Sequence, residues 1–333
     1  MNRRQLIARF IVGVGVTATR LVAAQAQQGE RVRRVGVLMP VGSDDPDGLA
    51  EMAALRQGLR EHGWSEGRNI DIAVGWQGGN IELVEAMAKE FVGAKPDVLL
   101  SRSTPITAAL KKESGVTPIV FVNIPEPVEQ GFVQSMARPG GNITGFTNFE
   151  ASVGSKMLQL LKEIDPRIVR IVVIYNPQTA PFAGLYVRPM ESAAASLGVE
   201  PVATPVQSDS DIEAAMTVSA RQPGGGLIVI PDTFTVGRRD PIIALAQRMH
   251  LPAVYGSPFF ARSGGLMAYT VDSRDLMHRA ANYVDRILRG ESPADLPVQQ
   301  PTKFRLTINM KAAKALGLTV PPNLLALADE VIE

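Results

Sequence analysis

Residues 97–122 read DVLLSRSTPITAALKKESGVTPIVFV, and two apolar runs in this stretch flank one helical segment. The runs at 97–100 and 118–122 are short and rich in large aliphatic side chains, as buried parallel strands are. Between them Thr104 can cap a helix that continues through Lys112, because Pro105 suits the first helical position. A strand, a helix and a second strand in succession predict a β-α-β unit of a parallel sheet.

The same alternation continues on both sides of this unit. In the first half, the pattern adds strands at 35–39 and 70–76 and helices from about Asp47 and at 81–92, so that strand and helix repeat four times. In the second half, the predicted strands are 168–175, 199–206, 226–230, 252–255 and 265–270, and the predicted helices are 181–197, 209–221, 238–250 and 273–288. Two similar α/β halves in tandem predict two Rossmann-like lobes with a ligand cleft at the carboxyl ends of their strands.

Residues 1–26 have the composition of an export signal. Arg3 and Arg4 give a positive start, residues 10–19 form a short apolar run, and Ala24-Gln25-Ala26 is a small-x-small cleavage site. The apolar run is too short to span a bilayer. The paired arginines also resemble a twin-arginine signal, so both export routes stay open. We expect cleavage near Ala26 and a soluble protein in the periplasm.

Composition excludes several classes of function. A formal net charge of +1 gives no basic surface for nucleic acid, and the absence of cysteine excludes disulfides, thiolate nucleophiles and cysteine-bound metals. None of the three histidines, His62, His250 and His278, lies in a recognisable nucleophile motif or has metal-ligand spacing. We therefore expect no enzyme, no catalytic residues, no metal site and no cofactor.

Polar and aromatic side chains follow the predicted strands. Hydroxyls and helix N-termini there can hold a carboxylate, an aspartate can hold an ammonium group, and aromatic rings can cover an apolar body. The predicted ligand-binding residues are Ser43, Ser103, Thr104, Asn123, Asn176, Thr179, Asp232, Phe234 and Ser257. For Ser103, Thr104 and Asp232 the alternative is a role in helix capping alone. Arg102 can pair with a ligand carboxylate or with an acid of the protein surface, and we expect the surface acid.

Several segments carry a resemblance to a known family. They are WSEGRNI at 64–70, ARPGGNITG at 137–145, GGLMAY at 264–269, PTKFRLTIN at 301–309 and ALGLTVPP at 315–322. The chain resembles the ABC-type solute-binding proteins of the family that includes tryptophan- and tyrosine-binding members. This resemblance implies a type I periplasmic-binding-protein fold, in which a hinge of three crossovers joins the two lobes.

The resemblance also implies where the lobes divide. The first lobe would combine residues 31–145 with 272–298, and the second would combine 146–271 with 299–333. The predicted hinge residues are Gly140, Gly141, Gly145, Val271 and Gln299. Glycine suits a hinge because it tolerates large changes of backbone dihedral angle.

Together these features predict the solute-binding component of an ABC importer. It would capture a small molecule, an amino acid or a related small carboxylate, by cleft closure and present it to a membrane permease. We expect a monomer that binds no nucleic acid. A sensory protein that signals to a receptor uses the same two lobes, and a small-molecule enzyme is a third reading, so both alternatives stay open.

Overall fold

The computed structural model describes residues 31–78, 82–150, 152–221 and 223–333. The predicted export signal at 1–26 and its cleavage site near Ala26 lie outside these ranges. Among the helices that the structure describes, none is long and apolar enough to cross a membrane.

The first lobe contains a sheet of five parallel strands in the order β2-β1-β3-β4-β5. These strands are β1 (Arg33–Met39), β2 (Ile70–Trp76), β3 (Val98–Ser101), β4 (Ile119–Val122) and β5 (Ile143–Phe146). Helices α1 (Pro46–Glu61), α2 (Leu83–Gly93) and α3 (Thr104–Glu113) follow β1, β2 and β3. Strands β3 and β4 are buried along their whole length, as their unbroken apolar sequences predict.

The predicted fourth strand–helix repeat is wrong, because β4 is not followed by a helix. Residues 123–142 form turns and irregular backbone. Asn123 and Glu126 have left-handed φ values of 68° and 49°, which a right-handed helix excludes. Pro125 and Pro127 remove two further helical hydrogen-bond donors.

The second lobe contains a seven-stranded sheet in the order β12-β11-β10-β9-β8-β6-β7, in which only the β10–β11 pair is antiparallel. The strands are β6 (Arg170–Tyr175), β7 (Glu200–Pro205), β8 (Gly225–Val229), β9 (Ala253–Tyr255), β10 (Met267–Val271), β11 (Phe304–Asn309) and β12 (Glu330–Ile332). The helices around it are α4 (Val153–Ile164), α5 (Ala183–Leu197), α6 (Asp209–Ala220), α7 (Thr233–Gly237), α8 (Arg239–Arg248), α9 (Pro258–Arg262), α11 (Met310–Ala315) and α12 (Pro322–Leu327). The helix predicted at 238–250 is confirmed as α8, and a further short helix, α7, which was not predicted, precedes it and ends at Arg238, where φ is −111°.

Helix α10 (Ser273–Leu288) follows a strand of the second sheet but packs against the first. Its apolar face, including Leu276 and Val284, joins the core formed by β1, β3, β4 and α1. The two helices approach closely at Gly58 of α1, where an added Cβ would lie 2.6 Å from the carbonyl oxygen of His278. The amphipathic pattern of α10 therefore buries against the sheet of the other half of the sequence.

Three chain segments run between the lobes and are hydrogen-bonded to one another. The Thr147 N–H donates to the Gln299 carbonyl and the Gln299 N–H to the Gly145 carbonyl, both at 2.9 Å. The Asp272 N–H, next to Val271, donates to the Lys303 carbonyl at 3.0 Å. Because β5 and β10 both lead into these segments at their carboxyl ends, the carboxyl edges of the two sheets face each other.

The predicted hinge residues fall into two groups. Gly145, Val271 and Gln299 lie on or beside the three connecting segments. Gly140 and Gly141 lie at the amino end of β5, and the connection to the second lobe leaves from the carboxyl end. The structure therefore does not bring these two glycines to the connections. The division of the chain at residues 145, 271 and 298 stays a prediction.

Candidate ligand-binding cleft

Two hydroxyls lie at the carboxyl edge of the first sheet, where β3 leads into α3. Inside this junction, a buried hydrogen bond of 2.7 Å between the Ser101 and Thr107 hydroxyls holds the start of the helix. Ser103 has the extended backbone of an N-cap residue, yet its side chain makes no capping hydrogen bond. Within the described residues, the half-buried hydroxyls of Ser103 and Thr104 have no hydrogen-bond partner. Both can therefore donate to a ligand beside the positive end of the α3 dipole.

Arg102, next to these hydroxyls, is committed to another group. Its Nε and Nη2 atoms donate to the two carboxylate oxygens of Glu51 on α1, at 2.6 and 2.7 Å. Glu51 is only 7% exposed, so the partner is a buried acid and the expectation of a surface acid is wrong. The two bonds form a bidentate ion pair that uses the Nε–Nη2 edge of the guanidinium.

Ser43 and Asn123 lie at the same edge of the first sheet. Ser43 is exposed in the turn between β1 and α1, two residues before Asp45, whose carboxylate caps α1 through the Gly48 N–H at 2.7 Å. Asn123 follows β4, and its N–H donates to the Phe146 carbonyl at 2.9 Å. Among the residues that the structure describes, neither the Ser43 hydroxyl nor the Asn123 amide has a side-chain hydrogen bond, so both are free for a ligand.

The structure brings three predicted residues of the second lobe into one network. The Asp232 Oδ1 atom accepts from the Thr235 N–H at 2.7 Å and from the Thr179 hydroxyl at 3.1 Å. Its Oδ2 atom accepts from the Asn176 N–H at 3.2 Å. The Asn176 side-chain oxygen in turn accepts from the Thr179 N–H at 3.2 Å. Asp232 and Asn176 are buried, so this network joins the ends of β6 and β8 and caps α7.

Phe234 and Ser257 lie at the neighbouring strand ends. The Arg238 guanidinium covers one face of the Phe234 ring, with its carbon 3.8 Å from the ring centroid. Ser257 is buried at the start of α9 and makes no side-chain capping bond. Behind it, Tyr255 and Phe260 stack with their centroids 4.4 Å apart and fix the β9–α9 junction.

Aromatic rings at the edge of the second sheet were missed in the sequence. Tyr269 on β10 and Phe304 on β11 stack with centroids 5.5 Å apart, and Phe149 meets Tyr186 edge to face at the same separation. Burial raises the pKa of Tyr269, and the nearby Glu150 carboxylate raises it further, so the phenol stays neutral. Phe304 could be assigned to the cleft only once β11 was known to run antiparallel to β10, which places the first residue of β11 at the cleft edge.

A second missed residue is Asn148, on the segment that leaves β5. Its side-chain oxygen is buried and has no hydrogen-bond partner among the described residues. Such a group is rare in a folded protein, because an unpaired buried acceptor costs about 1–3 kcal/mol. Asn148 is therefore a candidate for contact with a hydrogen-bond donor that the protein itself does not supply.

We also searched the described residues for metal sites and for cavities outside the cleft. No cluster of three or more potential metal-ligating side chains occurs in the part of the chain that the structure describes. A cavity of about 490 Å³ lies at the amino ends of β1 and β2, lined by Arg33, His62 and Arg289 among others. Of the four arginines that line it, Arg33 pairs with Asp97 at 3.3 Å and Arg289 pairs with Asp285 at 2.6 Å.

Comparison with known proteins identifies relatives of this architecture. The sequence model of the family described as ABC transporter substrate binding protein matches residues 34–332. A curated relative, a tyrosine-binding protein of Clostridioides difficile, is 26% identical over 261 residues, which is 78% of this chain and 74% of the relative.

Two solved structures are similar over most of the chain. A conserved domain protein of Vibrio cholerae has a TM-score of 0.75 and 29% identity, covering 90% of this chain and 100% of its own. An ABC domain of Streptococcus pneumonia in complex with L-Trp has a TM-score of 0.76 and 24% identity, covering 90% and 99%. The two-lobed α/β architecture, predicted as the type I periplasmic-binding-protein fold, is thereby confirmed.

Proposed function

The chain belongs to the ABC transporter substrate binding proteins, and we propose that it captures an amino acid or a related small carboxylate by closing its two lobes. The observation that carries this proposal is the pairing of unlike surfaces across the cleft. The first lobe offers free hydroxyls at a helix N-terminus, whereas the second lobe offers aromatic rings. A solute with a carboxylate at one end and an apolar body at the other fits between them.

The carboxylate would bind the first lobe. Ser103 and Thr104 supply two hydroxyl donors at the start of α3, where the helix dipole also favours an anion. The Asn123 amide is a third donor at the same edge. We give Arg102 no direct role, because its Nε and Nη2 atoms donate to both carboxylate oxygens of Glu51, which neutralises the charge of the guanidinium.

The rest of the solute would lie against the second lobe. Tyr269, Phe304 and Phe149 give it aromatic faces, which suit an aromatic amino acid. The tyrosine-binding and L-Trp-bound relatives support the same class of solute. An ammonium group could donate to the orphaned Asn148 oxygen or to the remaining acceptor position of Asp232.

The family also supports the setting in which this capture takes place. ABC substrate-binding proteins are typically exported and work with a membrane permease. We place this protein in the periplasm, as a monomer released from its signal near Ala26, delivering solute to a permease of an ABC importer. Members of the family bind rather than transform their solutes, so no catalytic step is included.

The test is a thermal-shift screen of the mature chain, residues 27–333, against amino acids, nucleosides, sugars and organic acids. A solute that binds only the folded protein stabilises it by about 2.7 kcal/mol at 100 times its Kd. For the best solute, S103A and T104V should each weaken binding about tenfold or more, because each removes a hydrogen bond to a charged group. The matched control is T319V, which makes the same substitution at an exposed threonine that is not among the predicted binding residues.

Three results would contradict the proposal. One is that no amino acid or carboxylate raises the melting temperature. Another is that T104V and T319V bind the solute equally well. Turnover of a candidate solute would favour the enzyme reading instead.

A further inference from the structure

One carboxylate joins the two lobes at the edge of the cleft. Asp47, in the first turn of α1, accepts a hydrogen bond through Oδ2 from the Arg262 guanidinium at the end of α9. The two residues are 215 positions apart in the chain and lie on helices that pack against different sheets. Their contact therefore exists only when these edges of the lobes are together.

Each partner also has a second counter-ion within its own lobe. Arg274 on α10 donates to Asp47 Oδ1 at 3.3 Å, and α10 packs on the first sheet. Glu330 on β12 accepts from Arg262 at 3.2 Å, and β12 is part of the second sheet. When the lobes separate, Asp47 keeps Arg274 and Arg262 keeps Glu330. Opening then leaves no unpaired charge, so the contact can break and form repeatedly.

The surroundings make this contact stronger than a fully exposed ion pair. The side chains of Asp47 and Arg262 are 24% and 35% exposed, so water screens them only in part. Burial opposes the charge of Arg262, but Glu330 and Asp47 outweigh it and raise the pKa of the guanidinium. The position of Asp47 at the amino end of α1 also favours its negative charge.

We infer that Asp47 and Arg262 form a reversible interlobe latch that stabilises the closed cleft, so that solute affinity depends on ionic strength through this pair. The inference rests on the proposed capture by cleft closure and adds two residues that do not contact the solute. Because solute binds the closed form, any contact that raises its population lowers the apparent Kd.

The experiment measures the distance between the lobes directly. Because the chain has no cysteine, V116C and V218C place two spin labels on exposed positions, one in each lobe. Distances are recorded without solute and with a saturating amino acid, at about 0.05 M and about 0.5 M NaCl, which shortens the screening length severalfold. The solute Kd is measured by calorimetry under the same conditions.

The expected result has three parts. In the parent protein, salt lengthens the interlobe distance and raises the Kd. D47N and R262Q bind about two- to fivefold more weakly at low salt, as expected for a partly exposed pair, and lose most of the salt response. R274Q removes only the counter-ion within the first lobe and keeps the salt response.

The matched control is E66Q, which removes an ion pair of 3.0 Å with Arg56 inside the first lobe and should change neither readout. If R262Q shows the same distances and the same salt response as the parent protein, the latch is refuted, even though solute still binds. If the parent protein binds no solute, the proposed function fails. The distances without solute still decide whether the latch exists.

Discussion

Replacement of Asp232 by alanine tests whether this carboxylate organises the second lobe or contacts the solute. The substitution removes the cap of α7 on the Thr235 N–H, which is worth about 1 kcal/mol. It also leaves the buried Asn176 N–H without an acceptor, at about 1–3 kcal/mol. The bond from Thr179 adds little, because that hydroxyl can turn to water. D232A should therefore lower the free energy of unfolding by about 2–4 kcal/mol.

The assay is urea unfolding of the mature chain without solute, with D232N as a second variant. Asparagine can keep an oxygen toward the Thr235 N–H, but it then presents its NH₂ group to the Asn176 N–H. D232N should thus lose about 1–3 kcal/mol, less than D232A. The control is S257A, at a buried serine of a neighbouring strand end that makes no side-chain cap bond, and it should stay within about 0.5 kcal/mol of the parent.

Two outcomes separate the roles of Asp232. If D232A unfolds within about 0.5 kcal/mol of the parent, the network does not stabilise the lobe and our reasoning is refuted. If stability is retained while solute affinity is lost, Asp232 contacts the solute and is no structural cap.

Two other substitutions test the packing and the electrostatics of the fold. G145A should cost more than about 3 kcal/mol in urea unfolding, because φ is 153° and the new Cβ would lie 2.0 Å from the Phe121 carbonyl oxygen. G141A, with nothing within 4 Å of its Cβ, should be nearly neutral, and similar losses for both would contradict this geometry. The Arg167 guanidinium, bonded to both Asp165 oxygens at 2.8 Å, lowers the pKa of Asp165. The stabilisation by this ion pair is therefore fully present above the pKa of an aspartate in the unfolded chain, about 3.9. It is lost as the pH falls through the lower pKa that Asp165 has in the folded protein. D165N should have a free energy of unfolding about 1–2 kcal/mol below that of the parent protein at pH 7. If this difference persisted in strong acid, the Asp165–Arg167 pair would not be its cause.

Local sequence patterns predicted much of each lobe. The run at 97–122 contains both a strand pair and its helix, so the β3-α3-β4 unit follows from neighbouring residues alone. Strands β11 and β12 were not predicted, because β12 has only three residues and the stretch 301–309 was interpreted only as a segment of family resemblance. The apolar face of α10 indicated burial, but nothing in its pattern says that it packs on the sheet of the other half. That assignment came from the family resemblance.

The candidate site was harder to predict than the fold, because its contacts depend more on residues that are distant in the sequence. The rule that ligands bind at strand ends brought Asn176, Thr179 and Asp232 together, yet it could not show that their hydrogen bonds are used within the protein. The Tyr269–Phe304 stack depends on the register of an antiparallel pair that periodicity does not reveal. Contacts between the lobes are still harder to predict from the sequence, because they depend on how the two separate sheets are placed relative to each other.

In the capture that we propose, the buried Arg102–Glu51 pair favours a zwitterion over a free anion. Glu51, only 7% exposed, already neutralises the Arg102 guanidinium, and drawing Arg102 away from it would break a buried pair at a cost of about 3–5 kcal/mol. In the proposed binding mode, neutral donors then hold the carboxylate, namely the hydroxyls of Ser103 and Thr104 and the amino end of α3. Neutral donors compensate a buried negative charge only in part. A solute that carries its own ammonium group would supply the missing positive charge, and the unpaired Asn148 oxygen is one acceptor that we propose for it.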